Sequence, residues 1–316
     1  MTELIKIGIS TCLLGENVRY DGGHKLDRYL RDTLGQFVQY VPVCPEVECG
    51  LSTPREAMHL VGDPENPRLL TVKTRIDHTE RMKAWARERL EQLENEDLCG
   101  YIFKKNSPSS GLLRVKVYNE HGVPRRVGVG IWARAFTEHF PLIPVEEEGR
   151  LNDPVLRETF IDQIFTMKRW RAMLAKGRSR GALVEFHTQH KLLLMAHSPE
   201  HYRRLGKLVA ESKHHSPAEL FVTYQREMIE ALRRNATPNK NYNVLLHLLG
   251  YFKKDLSAEE KQELLEVCRQ YKEELVPLVV PITLINHYVR KYAQPYLLQQ
   301  FYLQPHPVAL KLRNHA

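Results

Sequence analysis

Three short stretches of this chain place soft or acid–base side chains at the ends of apolar runs. In Val41-Pro42-Val43-Cys44-Pro45-Glu46 an apolar run ends in a thiol, a proline and a carboxylate. Proline cannot donate to a sheet ladder, so the chain is expected to leave its strand at Cys44. A soft ligand and an acid/base group then stand side by side at a strand's carboxyl end, the edge where open α/β sheets bind ligands. Ser10-Thr11-Cys12 and Lys105-Asn106-Ser107-Pro108-Ser109-Ser110-Gly111 also follow apolar runs. Cys12, Cys44 and the Ser109-Ser110-Gly111 turn therefore occupy equivalent places after three strands. Thiolates on separate loops can hold a metal centre and leave part of it open, yet no Cys-x-x-Cys pair is present to name the metal. Simple burial of the thiols is the competing expectation. Arg55, in the breaker-rich stretch 49–55, either clamps an anion or lies on the surface.

The elements needed to bring these loops together can be read from hydrophobic spacing. Residues 5–9 alternate as a strand, 37–43 form a second and 99–103 a third, with further apolar runs at 115–118 and 141–145. Helices are expected over 27–34, between Gly130 and His139, and over 77–96, where Met82, Trp85, Ala86, Leu90 and Leu93 recur at helical spacing. Another is expected over 157–174. Strands alternating with helices predict an α/β domain with a mainly parallel, Rossmann-like sheet. Lys176-Gly177-Arg178-Ser179-Arg180-Gly181 reads as a linker, giving domains over 1–174 and 175–316. Beyond it, 185–196, 199–211, 217–233, 242–253, 258–274 and 281–292 carry helix-period apolar residues, and Ser257-Ala258-Glu259-Glu260 is a capping-box start. The second domain is expected to be all-helical, and no internal repeat is found.

Composition narrows the class. Of 316 residues, 42% are hydrophobic and 27% charged, the proportions of a soluble globular protein. No apolar run approaches a membrane span and Met1-Thr2-Glu3 opens no secretory signal, so a cytoplasmic protein without a membrane partner is expected. Five cysteines in such a chain do not predict a disulfide framework. The net charge of +8 is uneven: residues 1–172 carry 25 Lys+Arg against 25 Asp+Glu, and residues 173–316 carry 21 against 13, with ten of the fifteen histidines. A neutral half joined to a basic half suggests chemistry in one and capture of a polyanion in the other.

Residues 1–172 resemble the thiouracil desulfurase family through Ser10-Thr11-Cys12-Leu13-Leu14-Gly15, Arg19-Tyr20-Asp21-Gly22, Cys44-Pro45-Glu46, Gly50-Leu51, Pro54-Arg55 and Lys105-Asn106-Ser107-Pro108-Ser109. The second half resembles a helical domain of formerly unknown function that is fused to it. That likeness rests on 186–198, Asn243-Val244-Leu245, Gly250-Tyr251-Phe252-Lys253 and 302–307. Fusions of this kind resemble tRNA 4-thiouridine desulfidases, which return a thiolated uridine to uridine. The resemblance implies a 4Fe–4S cluster on three cysteines, with one iron free to take the substrate's sulfur. The implied ligands are Cys12, Cys44 and residue 110, where the family pattern has Cys and this chain has Ser110. A hydroxyl is harder and far less acidic than a thiol and should hold iron poorly. The serine reads as a ligand-removing substitution, or else as natural divergence, and in both cases a cluster-deficient form is expected. Cys49 and Cys99 do not occupy the matching turn.

Carried onto this chain, Glu46 would accept a proton from attacking water, and Ser107, with Ser109 behind it, would hydrogen-bond the pyrimidine or relay a proton. Loop capping by Glu46 and helix N-capping by Ser107 remain the plainer alternatives. Asp21 and Arg19 are expected to fix the first loop. His187, His190 and His197 fall near one helical face without a zinc-like arrangement, so RNA contact or core packing is expected for all three, and phosphate contact for Lys191. Lys253, Lys254, Arg290 and Lys291 are candidates for phosphates, with Tyr251 or Phe252 for stacking. The leading expectation is a desulfidase acting on tRNA. Desulfuration of free thiouracil or thionucleosides, and a non-catalytic tRNA-binding regulator, are the alternatives. Oligomeric state is not legible.

Overall fold

The computed structural model describes residues 4–315; Met1-Thr2-Glu3, on which the secretory-signal expectation rests, lie outside the described residues. The chain divides into two compact units, 1–152 and 153–316.

The first unit contains strands β1 (Ile5–Ser10), β2 (Val38–Val43), β3 (Met58–Val61), β4 (Arg68–Thr71), β5 (Gly100–Phe103), β6 (Val115–Tyr118), β7 (Pro124–Gly128) and β8 (Val145–Glu147). Its helices are α1 (Pro45–Glu48), α2 (Thr79–Glu94) and α3 (Ile131–His139). One sheet, in the order β2-β1-β5-β8, is wholly parallel, as expected. β1 is central and almost entirely buried, which its near-continuous apolar run dictates. β2 is an edge strand, and that is where Pro42 can be tolerated within a sheet. Register pairs Ser10 with Val43, Ile9 with Ile102 and Phe103 with Glu147, so β1, β2, β5 and β8 all end at one edge.

An aromatic core supports that edge. Tyr101, Phe103, Trp132 and Phe136 are fully buried. The Tyr101 and Phe136 ring centroids lie 4.5 Å apart, and Trp132 Nε1 donates to the Tyr101 hydroxyl at 3.0 Å. Gly8 makes room for this cluster, since a Cβ there would stand 2.2 Å from the Tyr101 ring. The second sheet, β4-β3-β6-β7, pairs β3 and β6 in parallel and its outer strands antiparallel. Sequence spacing shows only β6 of these four strands. Strand β7, Pro-Arg-Arg-Val-Gly, exposes four of its five residues and carries no apolar alternation. The expected helix over 27–34 is tighter and looser by turns, a π-turn at Tyr29–Thr33 followed by a 3₁₀ turn at Leu34–Gln36.

The second unit holds α4 (Pro154–Lys176), α5 (Arg180–His197), α6 (Pro199–Ala210), α7 (Pro217–Leu232), α8 (Pro238–Leu249), α9 (Ala258–Lys272), α10 (Val279–Lys291) and α11 (Pro295–Leu298). Pro at N1 starts four of the longer helices, and Ser257 and Glu260 form the expected capping box. Among the described residues of this unit there is no strand. The expected boundary at 174/175 is corrected to 152/153. Helix α4 belongs to the second unit because Trp170 stacks on Tyr224 at 5.3 Å and meets Phe186 edge-on. The expected linker is a three-residue helix–helix turn, with Gly177 at φ 125° and Ser179 capping α5. No helix among the described residues is long and apolar enough to cross a membrane.

Candidate active site

The two thiols sit one or two residues beyond strands of the parallel sheet, and the serine turn follows a third strand. β1 runs into a 3₁₀ turn, Thr11–Leu14, that carries Cys12. β2 stops at Val43, and Cys44 caps α1, its backbone N–H donating to Glu48 Oε1 at 2.8 Å. Because Ser10 pairs with Val43, the two thiols leave adjacent strands at one level. β5 leads into the turn holding Ser107, Ser109 and Ser110. Cys12, Cys44, Glu46, Ser107 and Ser110 all line one cavity of about 400 Å³.

The serine turn is held from outside itself. Glu147 Oε1 accepts from the amides of Leu112 and Leu113, at 2.8 and 3.2 Å. Glu148 accepts from Lys105 N at 2.7 Å and pairs with Lys104 Nζ at 2.5 Å. Consecutive carboxylates at the end of β8 thus clamp both ends of the turn. Inside it, Ser107 Oγ accepts from the amides of Ser109 and Ser110, at 3.3 and 3.1 Å. Gly130 lets α3 approach, since a Cβ there would lie 2.3 Å from Ser109 O. The Ser110 hydroxyl contributes nothing comparable; among the described residues it meets Ser109 Oγ at 3.5 Å.

A hydrogen-bonded chain runs from the cavity to the carboxylate. Ser109 Oγ donates to Glu46 Oε1 at 2.5 Å, which leaves Ser107 Oγ to donate to Ser109 Oγ at 2.9 Å. Ser109 is fully buried, so it is not a substrate contact but a link between Ser107 and Glu46. Glu46 Oε2 lies 3.7 Å from Cys44 Sγ and 3.9 Å from Arg55 Nη2. Arg55 is neither a free anion clamp nor a surface residue. Its side chain is 9% exposed and braces two loops by donating to Val18 O at 3.0 Å. Arg19 pairs with Asp21 at 3.5 Å within the first loop, as expected. Sequence spacing gave no sign of Lys25 and Lys104, which line the cavity with Arg19, Arg55 and Lys105 and give it a cationic wall.

Both thiols are only 8% exposed. Burial, and then the Glu46 charge, push Cys12 up to about 11 and Cys44 up to about 12. They are protonated at neutral pH, and a cation binding there must displace their protons. Among the described residues no three His, Cys, Asp or Glu side chains form a metal-binding group. The site offers two thiols and a hydroxyl, one sulfur short of a three-thiolate cluster site, and this donor set does not fit a 4Fe–4S cluster.

Residues 7–148 match the family model described as 2-thiouracil desulfurase, and residues 191–307 the model for a protein of unknown function, DUF1722. The uncharacterized protein YbgA of Escherichia coli (strain K12) is 31% identical over 153 residues, 48% of this chain and 90% of that protein. The chain belongs to the 2-thiouracil desulfurase family, joined to a DUF1722 domain. The uncharacterized protein YbbK of Bacillus subtilis (strain 168) is 31% identical over 108 residues, 33% of this chain and 71% of that protein. A solved structure, the 4Fe-4S-dependent thiouracil desulfidase TudS, is 31% identical, with a TM-score of 0.40, covering 49% of this chain and 98% of that one. In this desulfurase-family chain the matched region coincides closely with the first unit.

The residues expected to touch RNA do not share one environment. His187 and His197 are 7% and 1% exposed, so their expected RNA contact is corrected to core packing. His187 Nδ1 meets the Tyr224 hydroxyl at 3.0 Å, and His197 bonds Arg234 O at 2.6 Å and Asp162 Oδ2 at 3.3 Å. Phe252 is fully buried and offers no stacking face, whereas Tyr251 is 41% exposed and stacks on Tyr296. Lys191 Nζ lies 4.9 Å from the Tyr296 ring. Lys253, Lys254 and Arg290 are exposed, and Lys291 is paired with Glu260 at 2.7 Å.

Proposed function

We propose that this protein belongs to a class of desulfidases that convert 4-thiouridine in tRNA to uridine, with the α/β unit supplying the chemistry and the basic helical unit the grip on RNA. The observation that carries the proposal is the convergence of Cys12, Cys44, Glu46 and the serine turn on one cationic cavity at the carboxyl edge of a parallel sheet. In this scheme a 4Fe–4S cluster requires sulfur at 12, 44 and 110, and Ser110 makes the present chain cluster-deficient. The cavity wall of Arg19, Lys25 and Lys105 favours a phosphorylated nucleoside over a bare base. Ser107 hydrogen-bonds the pyrimidine edge, and Glu46 receives a proton directly from water in the cavity or through Ser107 and Ser109. Exposed Lys253, Lys254 and Arg290, with Tyr251, bind tRNA outside the cleft, where a grip helps draw a base from its stack. The setting is the cytoplasm, where tRNA is found.

The test is anaerobic reconstitution of the full chain and its Ser110→Cys variant, read by iron and sulfide content and visible absorption. Loss of 4-thiouridine from purified tRNA is then compared with turnover of free 2-thiouracil. The proposal expects a cluster and tRNA desulfuration in the variant alone. A folded Ser110→Cys protein without iron would refute it, and turnover of the free base but not of tRNA would transfer the role to free thiopyrimidines. The serine itself favours a second function, a tRNA-binding regulator. That alternative expects tight tRNA binding by both forms and no activity from either.

A further inference from the structure

Beside the thiol cavity lies a second one of about 260 Å³, on the outward face of the second sheet. The two share Met58, Asn106 and Pro108 as a common wall. The remainder of the second cavity has a composition of its own. His59 on β3, Val115, Lys116 and Tyr118 on β6 and Arg126 on β7 line it, and no carboxylate does. Period-2 alternation buries Val115 and Val117 while turning Lys116 and Tyr118 outward.

Lys116 and Arg126 are direct cross-strand partners. Like charges placed opposite each other on a sheet destabilise it. Neither cation has a carboxylate partner among the described residues, so the repulsion is uncompensated there. Behind them His59 is held neutral. Arg75, which can only donate, points Nη1 at His59 Nε2 at 3.0 Å, so that nitrogen is an acceptor and the ring proton sits on Nδ1. Burial and Arg75 both lower its proton affinity. The His59 and Tyr118 rings lie 4.8 Å apart, tilted by 35°, with Tyr118 half-buried against the cavity. A pair of uncompensated cations beside an aromatic ring is complementary to a phosphodiester followed by a base.

We infer that this second cavity is a subsite for the nucleotide flanking the thiolated residue: Lys116 and Arg126 take the phosphodiester and Tyr118 stacks on the neighbouring base. The inference rests on the nucleotide-desulfurising role proposed above and adds a polynucleotide requirement to the α/β unit itself. It places part of the recognition of a chain of nucleotides within about one nucleotide of the site, independent of the helical unit. A free thiopyrimidine or nucleoside has nothing to put there.

The probe is the dinucleoside monophosphate uridylyl-uridine, titrated into the full chain by calorimetry beside uridine and inorganic phosphate. No cluster is required. The dinucleotide is expected to bind more tightly than uridine, and Lys116→Ala with Arg126→Ala to weaken it by about tenfold or more, the scale of a lost charge-assisted contact. Uridine binding is expected to stay unchanged, and Arg126→Lys to retain most of the gain. All of these side chains are outward, and circular dichroism checks that each variant is folded. Equal affinities for uridine and the dinucleotide, with uridine bound, would overturn the subsite and leave the parent proposal standing. Binding of neither would overturn both. Displacement of the dinucleotide by inorganic phosphate at equal concentration would reduce the site to an unspecific anion patch and overturn the inference.

Discussion

Replacing Glu46 by glutamine removes the carboxylate charge common to both site thiols while keeping the side chain's volume and its acceptor for Ser109. Glu46 Oε2 lies 3.7 Å from Cys44 Sγ. Two unit charges at such a distance interact by about 4 kcal/mol at an effective dielectric near 20, and by about 1 kcal/mol in bulk water. The cavity is open to solvent, so the repulsion falls between those limits. With each pH unit equivalent to about 1.4 kcal/mol, the Cys44 thiol is expected to drop by about 1–3 units from its position near 12. Cys12 should move in the same direction from about 11. Burial is the larger cause of both displacements and survives the substitution, so neither thiol should fall into the range of an activated cysteine. Iodoacetamide alkylation followed residue by residue in the mass spectrometer, from pH 7 upward, reads each thiol separately. Cys268, held near 12 by burial alone in the other unit, is the internal control. If the Cys44 profile of the variant superimposes on that of the unsubstituted chain, the electrostatic account of the site is wrong.

Other perturbations test the frame and the helical unit. Gly130→Ala drives a methyl group into Ser109 O and should cost the α/β unit about 1–3 kcal/mol in urea denaturation. In a Ser110→Cys background it should also lower iron uptake; an unchanged midpoint would show that the turn yields freely. His187 is depressed to about 4 by burial and by Lys191, against 6.5 when unfolded. Its contribution to stability is therefore complete above pH 6.5 and is lost as pH falls toward 4, by up to about 3 kcal/mol. His187→Gln should shift relative stability by that amount in the variant's favour between pH 7 and 4, and parallel pH–stability curves would contradict the assignment. Lys253→Glu with Lys254→Glu should weaken tRNA binding by the full chain and reduce its logarithmic salt dependence by about two. Unaltered affinity would place the grip elsewhere.

The parallel sheet and its loops were legible because each of the three strands is an apolar run that ends in a breaker or a polar turn, and a parallel register needs little else. The second sheet was not. Its strands are four or five residues long, and β7 is mostly exposed arginine, valine and proline, so nothing in the local pattern separates it from a loop. The domain boundary misled for a related reason. Gly177, Ser179 and their basic neighbours have linker composition, yet they form a tight turn between helices whose aromatic faces meet. His187 and His197 illustrate the ambiguity of helical spacing, which puts residues on a common face without saying whether that face is wet. The carboxylates that clamp the serine turn lie 34–44 residues from their partners, beyond the reach of any local pattern.

That clamp has a consequence for heredity. The turn keeps its shape through Glu147, Glu148 and the Ser107 hydroxyl, and the side chain at 110 supports none of it. Most serine codons lie a single base from a cysteine codon. Under the proposed role of position 110, a lineage can therefore switch its sulfur chemistry off here and later switch it on again, with the rest of the scaffold unaltered in the interval.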